Sequence, residues 1–422
     1  MYTTLNKQTS FFLALSFTLV LFSTCKKDDG ECNTANVPTI EWQKTIGDND
    51  STVINNVQQT TDGGYILAGY KKDVQNGLDY WVVKLNSNAD VEWKKAYGGS
   101  STDEAKSIQQ TIDGGYIVAG STTSNDGNVT NNNGYTDAWI LKLSTNGDIE
   151  WQKTYGGSAG DALTNIKQTT DNGYIVVGYT GSDDGDIPNN KGYFDAWIIK
   201  ITANGNLEWT KTFGGTNGDW INNTQQTTDG EYLIAGQTQS NNGDITNNHG
   251  NADLWVIKLQ ANGNLSWQKT YGGSSNDYAN CIQKTNDGHY IIAGGTDSNN
   301  GDVIITHGSS DAWVVKIDDL GNILQQTTVG TNGSESANSI LQTHDNNFLI
   351  AGHSQNANSD IKNIFVAALN TNCTLLWQRQ IPQENSDTFA KYILETPDCG
   401  YLVFGNQFFD SFLSTPVIIK LK

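Results

Sequence analysis

The sequence predicts an all-β fold, a seven-bladed β-propeller built from four-stranded antiparallel blades. Three observations carry this expectation. A unit marked by W-x-K, Gly-Gly, I-x-Q-T, D-G-G-Y-I-V-A-G, D-A-W-I-I-K-L and N-G recurs, opening at Trp42, Trp93, Trp151, Trp209, Trp267, Gln325 and Trp377 with spacings of 51, 58, 58, 58, 58 and 52 residues. Each unit holds four short segments of strand length separated by turn residues. These segments are permuted, so the chain begins with a fourth segment and ends with a first, second and third. Glycine is abundant (44) and proline scarce (5), as suits many strands joined by tight turns.

The first element is a leader. Lys7 supplies a basic start, Phe11–Phe22 is a largely apolar stretch, and Ser23-Thr24-Cys25 follows. The stretch is too short to span a bilayer, which takes about 20 residues. Small residues before a cysteine resemble the lipobox of bacterial lipoproteins, although Phe22 stands where that box has an aliphatic residue. The resemblance implies a signal peptide over residues 1–24, lipidation at Cys25 and a lipidated tether over 25–38. Lys26-Lys27-Asp28-Asp29 resembles the charged signal that sends lipoproteins of Bacteroidota to the outer face of the outer membrane. The expected location is therefore the cell surface, with the lipid as the sole membrane contact. A net charge of −20 repels nucleic acid and anionic headgroups.

Residues 39–422 form the propeller. In the second unit the strands are expected at Ser107–Thr111 (a), Tyr116–Gly120 (b), Asp137–Leu143 (c) and Ile149–Tyr155 (d). Asp113-Gly114-Gly115 and Asn146-Gly147 form the hairpin turns, where glycine supplies positive φ. The opening d strand, Ile40–Ile46, should pair with the last c strand, Pro416–Leu421, and close blade seven with Lys391–Thr396 and Tyr401–Gly405. A solenoid would leave both ends unpaired. The arrangement resembles kelch and galactose-oxidase type propellers, with Y-I-V-A-G in place of that family's Y-V-x-G-G, and the long-period propeller repeats of Bacteroidota surface proteins. The resemblance implies architecture more than activity. Phrases such as G-N-L-E-W resemble bulb-type mannose lectins, but Gln59–Tyr65 lacks the asparagine and valine of their sugar-reading motif.

Groups that repeat around a ring answer repeated structural needs, so functional residues are sought where the repeat breaks. Asp79, Asp137, Asp195, Asp253 and Asp311, each beside a tryptophan, read as strand-start caps with a wedge between blades. The acids Asp103, Asp161, Asp219, Asp277 and Glu335 share one position near the channel mouth, where loop capping competes with a cation-attracting ring. Four S-[ND]-[ND]-G-[DN]-[IV] loops offer Asp126, Asp184, Asp186, Asp244 and Asp302. Calcium and simple Asx turns are the two readings, and no cofactor is otherwise implied. His249 and His307 occupy one slot in adjacent blades. No H-E-x-x-H or C-x-x-C pattern is present.

Cys373 and Cys399 lie in turns on one face and are the expected disulfide, with Cys32–Cys399 as competitor. The tether should leave that same face. On the opposite face the b–c loops are unequal: 17 positions from Gly120 to Asp137, and likewise in blades three to five, but 10 from Gly69 to Asp79. This predicts a wall of long loops beside a low shelf. Trp220 and Tyr278 break the repeat next to Asp219 and Asp277. Together with His249 and His307 they are the candidate ligand-binding residues, at the foot of the wall in blades four and five. The expected role is a monomeric, non-catalytic binding or adhesion module for a glycan or protein. A glycan-active hydrolase or lyase and a structural envelope component are the alternatives.

Overall fold

The computed structural model describes residues 34–422 apart from 48–50, 74–76, 384–385 and 410–412. The leader, Cys25 and Cys32 lie outside the described residues. The described residues form seven four-stranded antiparallel sheets arranged as a propeller, with each sheet in the order a-b-c-d. The a strands of successive blades neighbour one another and line the centre. The d strands lie outermost.

The c strands explain why the blades need each other. Asp137–Leu143 is buried along its whole length, on both faces of its sheet. A neighbouring blade must therefore cover each face. Trp139 is fully buried and packs with Tyr80, Val82 and Ala68 of blade one, with ring centroids 4.5 Å from Tyr80. Trp197, Trp255 and Trp313 repeat this wedge between later blades. The outer tryptophans act similarly: Trp93 meets Tyr116 of the next blade edge-on at 5.9 Å, and Trp151 meets Tyr174 at 6.3 Å. Polar latches add to the wedges. The side-chain oxygens of Gln110, Gln168 and Gln226 accept turn N–H bonds from Thr61, Ile112 and Thr170 of the preceding blades, at 2.8 to 3.0 Å.

Ring closure follows the permuted strand order. Ile40–Thr45 pairs antiparallel with Ser414–Leu421, and Thr39 and Lys422 exchange backbone bonds of 2.7 and 2.8 Å. The closed blade seven then packs on blade one. Asn406 clamps Ile54, accepting from its N–H at 2.8 Å and donating to its carbonyl at 2.7 Å.

The b, c and d strands lie at the expected positions, while the a strands begin earlier. In blade two strand a is Asp103–Gln110, not Ser107–Thr111. A β-bulge between Ala105 and Ser107 inserts Lys106 and breaks the two-residue alternation that marks a strand in sequence. Every blade carries a bulge at this position.

One end of the propeller carries buried lysines. Lys84, Lys142 and Lys200 end their c strands and pair with Asp62, Asp113 and Asp171 of the a–b turns at 2.9 to 3.0 Å. Blade six has Ala368 at this position. There Thr34 replaces the missing cation: its N–H and hydroxyl donate to Asp345 at 3.0 and 2.7 Å, and its carbonyl accepts from Trp377 Nε1 at 2.7 Å. The propeller thus holds Thr34 against the turn face, ahead of the expected start at Thr39.

The expected Cys373–Cys399 disulfide is corrected. Cys373 is a free, buried thiol, packed among Phe348, Phe365 and Leu369, and burial pushes it up to about 11. It faces into the blade, away from the turn surface. Cys399 is disulfide-bonded and so has no bond to offer Cys373. Cys281, within the a strand of blade five, is likewise free and buried.

Deleting residues 39–47 removes the closing strand and exposes the edge at Ser414–Leu421. The expected outcome is loss of a cooperative melt and aggregation in size-exclusion chromatography. A truncated protein that melts like the parent would show that the ring does not depend on this seam.

Candidate functional site

The long b–c loops of blades two to five stand on the face opposite the buried lysines. The structure ties their bases to the next blade through parallel bridges, Thr136 to Gly160, Phe194 to Gly218, Ala252 to Asn276 and Ser310 to Ser334. In blade one strand b runs to Asp73 and strand c begins at Gly77, so the wall and the low shelf are both present.

The acids expected at the channel mouth are fully buried instead. Asp219 accepts from Gly215 N and Ser240 Oγ, both at 2.8 Å, and from Thr238 Oγ1. Asp277 accepts from Gly273 N and Ser298 Oγ at 2.8 Å. Each carboxylate organises a loop base and presents nothing to a ligand. This corrects their place among the ligand-facing candidates.

Asp126 and Asp184 accept the N–H of Ser100 and Ser158 at 2.6 Å. Asp186, Asp244 and Asp302 accept those of Gly156, Gly214 and Gly272 at 3.0 to 3.1 Å. These bonds reach 26 or 30 residues along the chain and draw each long loop onto the preceding Gly-Gly link. Among the described residues no three metal-ligating side chains gather into one group.

His249 and His307 stay in their own blades. His249 Nδ1 lies 2.6 Å from Asp253 Oδ2, in a groove of about 490 Å³ lined also by Thr270, Asp302 and Asn322. His307 Nδ1 is 3.8 Å from Asp311 Oδ1, beyond hydrogen-bond reach.

Trp220 and Tyr278 part company. Tyr278 donates its hydroxyl to Ser336 Oγ of blade six at 3.0 Å and lies over Gly295, where a Cβ would come within 2.4 Å of that hydroxyl. Its role is packing between blades. Trp220 instead folds over Gly218 and meets Phe194 with centroids 6.4 Å apart. Phe194 continues edge-on to Tyr179 at 5.4 Å and Tyr193 at 4.6 Å. Tyr193 is 72% exposed, and Tyr135 of the neighbouring loop 82%. The structure therefore assembles an aromatic strip on blades three and four, one blade earlier than expected. Tyr179, Tyr193 and Phe194 were not singled out in the sequence. Phe194 carried the signal of a broken repeat, since Thr136, Ala252 and Ser310 stand at its position, whereas Tyr193 shares its position with Tyr135.

No family model matches the sequence, and no curated protein matches it. Solved structures do. A protein of unknown function from Dyadobacter fermentans is similar over 91% of this chain and 99% of its own, at 11% identity and a TM-score of 0.52. The β-propeller domain of the Trilobed protease from Pyrococcus furiosus, which has an open velcro topology, is similar over 88% and 97%, at 9% identity and a TM-score of 0.46. The likeness is one of fold. This chain is a β-propeller.

The propeller's remaining carboxylates meet at blade junctions. A Cβ on Gly214 would fall 2.4 Å from Asp195 Oδ1 and 2.7 Å from Asp219 Oδ2, so glycine lets two buried carboxylates share the space over one Cα. Asp195 Oδ1 has no hydrogen-bond partner. Burial, and then the charges of Asp219 and Asp244, push Asp195 up to about 6, against the bond from Lys191 N. Burial likewise pushes Asp137 up to about 6, with Asp161 and Asp186 adding to it. The folded protein thus holds these protons more tightly than the unfolded chain. The stability they contribute is fully present below about pH 4 and is lost as pH rises through 6. Asp195→Asn keeps an acceptor for Lys191 N and offers Asp219 an amide donor. It is expected to raise the melting temperature at pH 8 by about 1–3 °C and to leave it little changed at pH 4.5. A lower melting temperature at pH 8 would show that a charged Asp195 is already satisfied.

Proposed function

We propose that this propeller is a non-catalytic binding or adhesion module of the cell surface, engaging a glycan or protein with its long-loop face. The observation that supports this most is the strip of Trp220, Phe194, Tyr179 and Tyr193, in which Trp220 and Phe194 break the repeat. An exposed tyrosine backed by three further rings offers flat apolar area with fixed orientation, as stacking on a sugar or a partner's side chain requires. The strip sits on loops held by a rigid ring, the usual place for recognition. The reading includes a kelch-like surface lipoprotein of the Bacteroidota type, anchored at Cys25 in the outer membrane and monomeric. Thr34 is held against the turn face, on the side opposite the long loops.

Screening the purified protein on a glycan array, with a hydrolysis assay on each hit, tests the first part. Binding without turnover is expected, and turnover would favour the hydrolase. Tyr193→Ala combined with Trp220→Ala should weaken binding at least tenfold while Tyr193→Ala alone leaves the melting temperature unchanged. Full affinity in the double variant would move the site elsewhere. For the anchor, palmitate labelling in cells should be lost in Cys25→Ser. Labelling that persists would exclude Cys25 as the lipidated residue.

A further inference from the structure

The bulge residue of each a strand stands at one equivalent position around the ring, and in most blades it has one task. Asn55, Thr164, Asn222, Asn280 and Asn338 each donate to a backbone carbonyl of the next blade, at 2.6 to 2.9 Å. Two blades depart from this, with Lys106 and Lys391. Lys106 is paired with Glu104 at 2.6 Å. Lys391 has no hydrogen-bond or ion-pair partner among the described residues. Its structural task is already done, because the carbonyl of Ile54 that it would reach accepts from Asn406.

The surroundings of Lys391 are cationic and aromatic. Phe389, two residues earlier on the same strand, has Lys362 Nζ 5.4 Å from its ring centroid and His353 at 5.1 Å. Burial and then the charges of Lys362 and Lys391 hold His353 down at about 4, against Asp387. Burial, and then Lys106, lower Lys391 itself. Two carboxylates of these strands are already engaged, Glu104 with Lys106 and Asp387, which accepts the backbone N–H of Lys362 at 2.9 Å. A protein of net charge −20 therefore leaves the ammonium of Lys391 without a counter-charge on one of its inner strands. An isolated ammonium is costly to hold away from water without a counter-charge.

We propose that the central channel is an anion-binding site in which Lys391, supported by Lys362 and Lys106, takes a carboxylate or an oxyanion against the face of Phe389. The site stands on the opposite side of the mouth from the Trp220 strip and does not depend on it. Two sources share this chemistry, a free oxyanion and the acidic group of a sugar.

The test is calorimetric titration of the purified protein with sodium sulfate, with sodium glucuronate and with glucose, at constant ionic strength. Saturable binding of either anion but not of glucose is expected. Glucuronate alone would mark the acidic sugar as the source, and sulfate alone the free oxyanion. Lys391→Asn installs the residue that the other blades carry, so the fold should be kept, while anion affinity falls at least tenfold. Lys391→Gln is the second variant, should the asparagine compete with Asn406 for Ile54. Absence of saturable binding by both anions, or unchanged affinity in a folded variant, would overturn the proposal.

Discussion

Everything in this propeller depends on covering both faces of every blade. The c strands are apolar on both sides, and a lone four-stranded sheet of this kind would expose Trp139 and Ile140 on opposite faces. Each blade borrows its neighbours' surface, and the borrowing ends only when the last blade meets the first. The tryptophan wedges, the glutamine latches and the clamp of Asn406 on Ile54 are variations on that requirement. Once it is met seven times, the inner strands are held too rigidly to adjust to what they line. A bulge residue or mouth residue can then be replaced at little structural cost.

The same logic explains what was legible in the sequence. Blade number, strand order and closing seam could be read because glycine turns and the Asp-x-Trp element repeat at nearly constant spacing. The b–c loop inequality was legible for the same reason. The start of the a strands was not, because the bulge at Lys106 interrupts the period that identifies a strand. The fate of Asp219 and Asp277 was only half legible: a repeated acid pointed to a repeated task, but burial beneath Ser240 and Ser298 appears only in three dimensions. Cys373 shows the limit of reasoning by face, since a turn residue on the expected surface can still point inward.

The site was legible as a kind of residue rather than as a place. Trp220 and Tyr278 both break the repeat, yet one opens onto an aromatic strip and the other closes a seam. What separates them is their neighbours, Phe194 in one case and Gly295 with Ser336 in the other. Lysine in a strand of a polar protein attracts no notice until the ring shows that six equivalent side chains are bonded and one is not. Departure from a repeat locates candidates, and the bonding of each departure sorts packing from recognition.

The replacement of a lysine by Thr34 in blade six has a mechanical consequence. The seam that closes the ring is a single N-terminal strand, the element most easily unzipped by a force on the chain that precedes it. Thr34 takes that force ahead of Ile40. Its bonds to Asp345 and Trp377, with Arg379 holding the carbonyl of Pro38, lie upstream of Ile40. A pull from the N-terminal side is therefore passed to blade six, whose four strands are continuous in sequence, before it can reach the strand pair at Ile40–Thr45. The strap works as strain relief does on a cable, keeping tension at the entry point from opening the joint behind it.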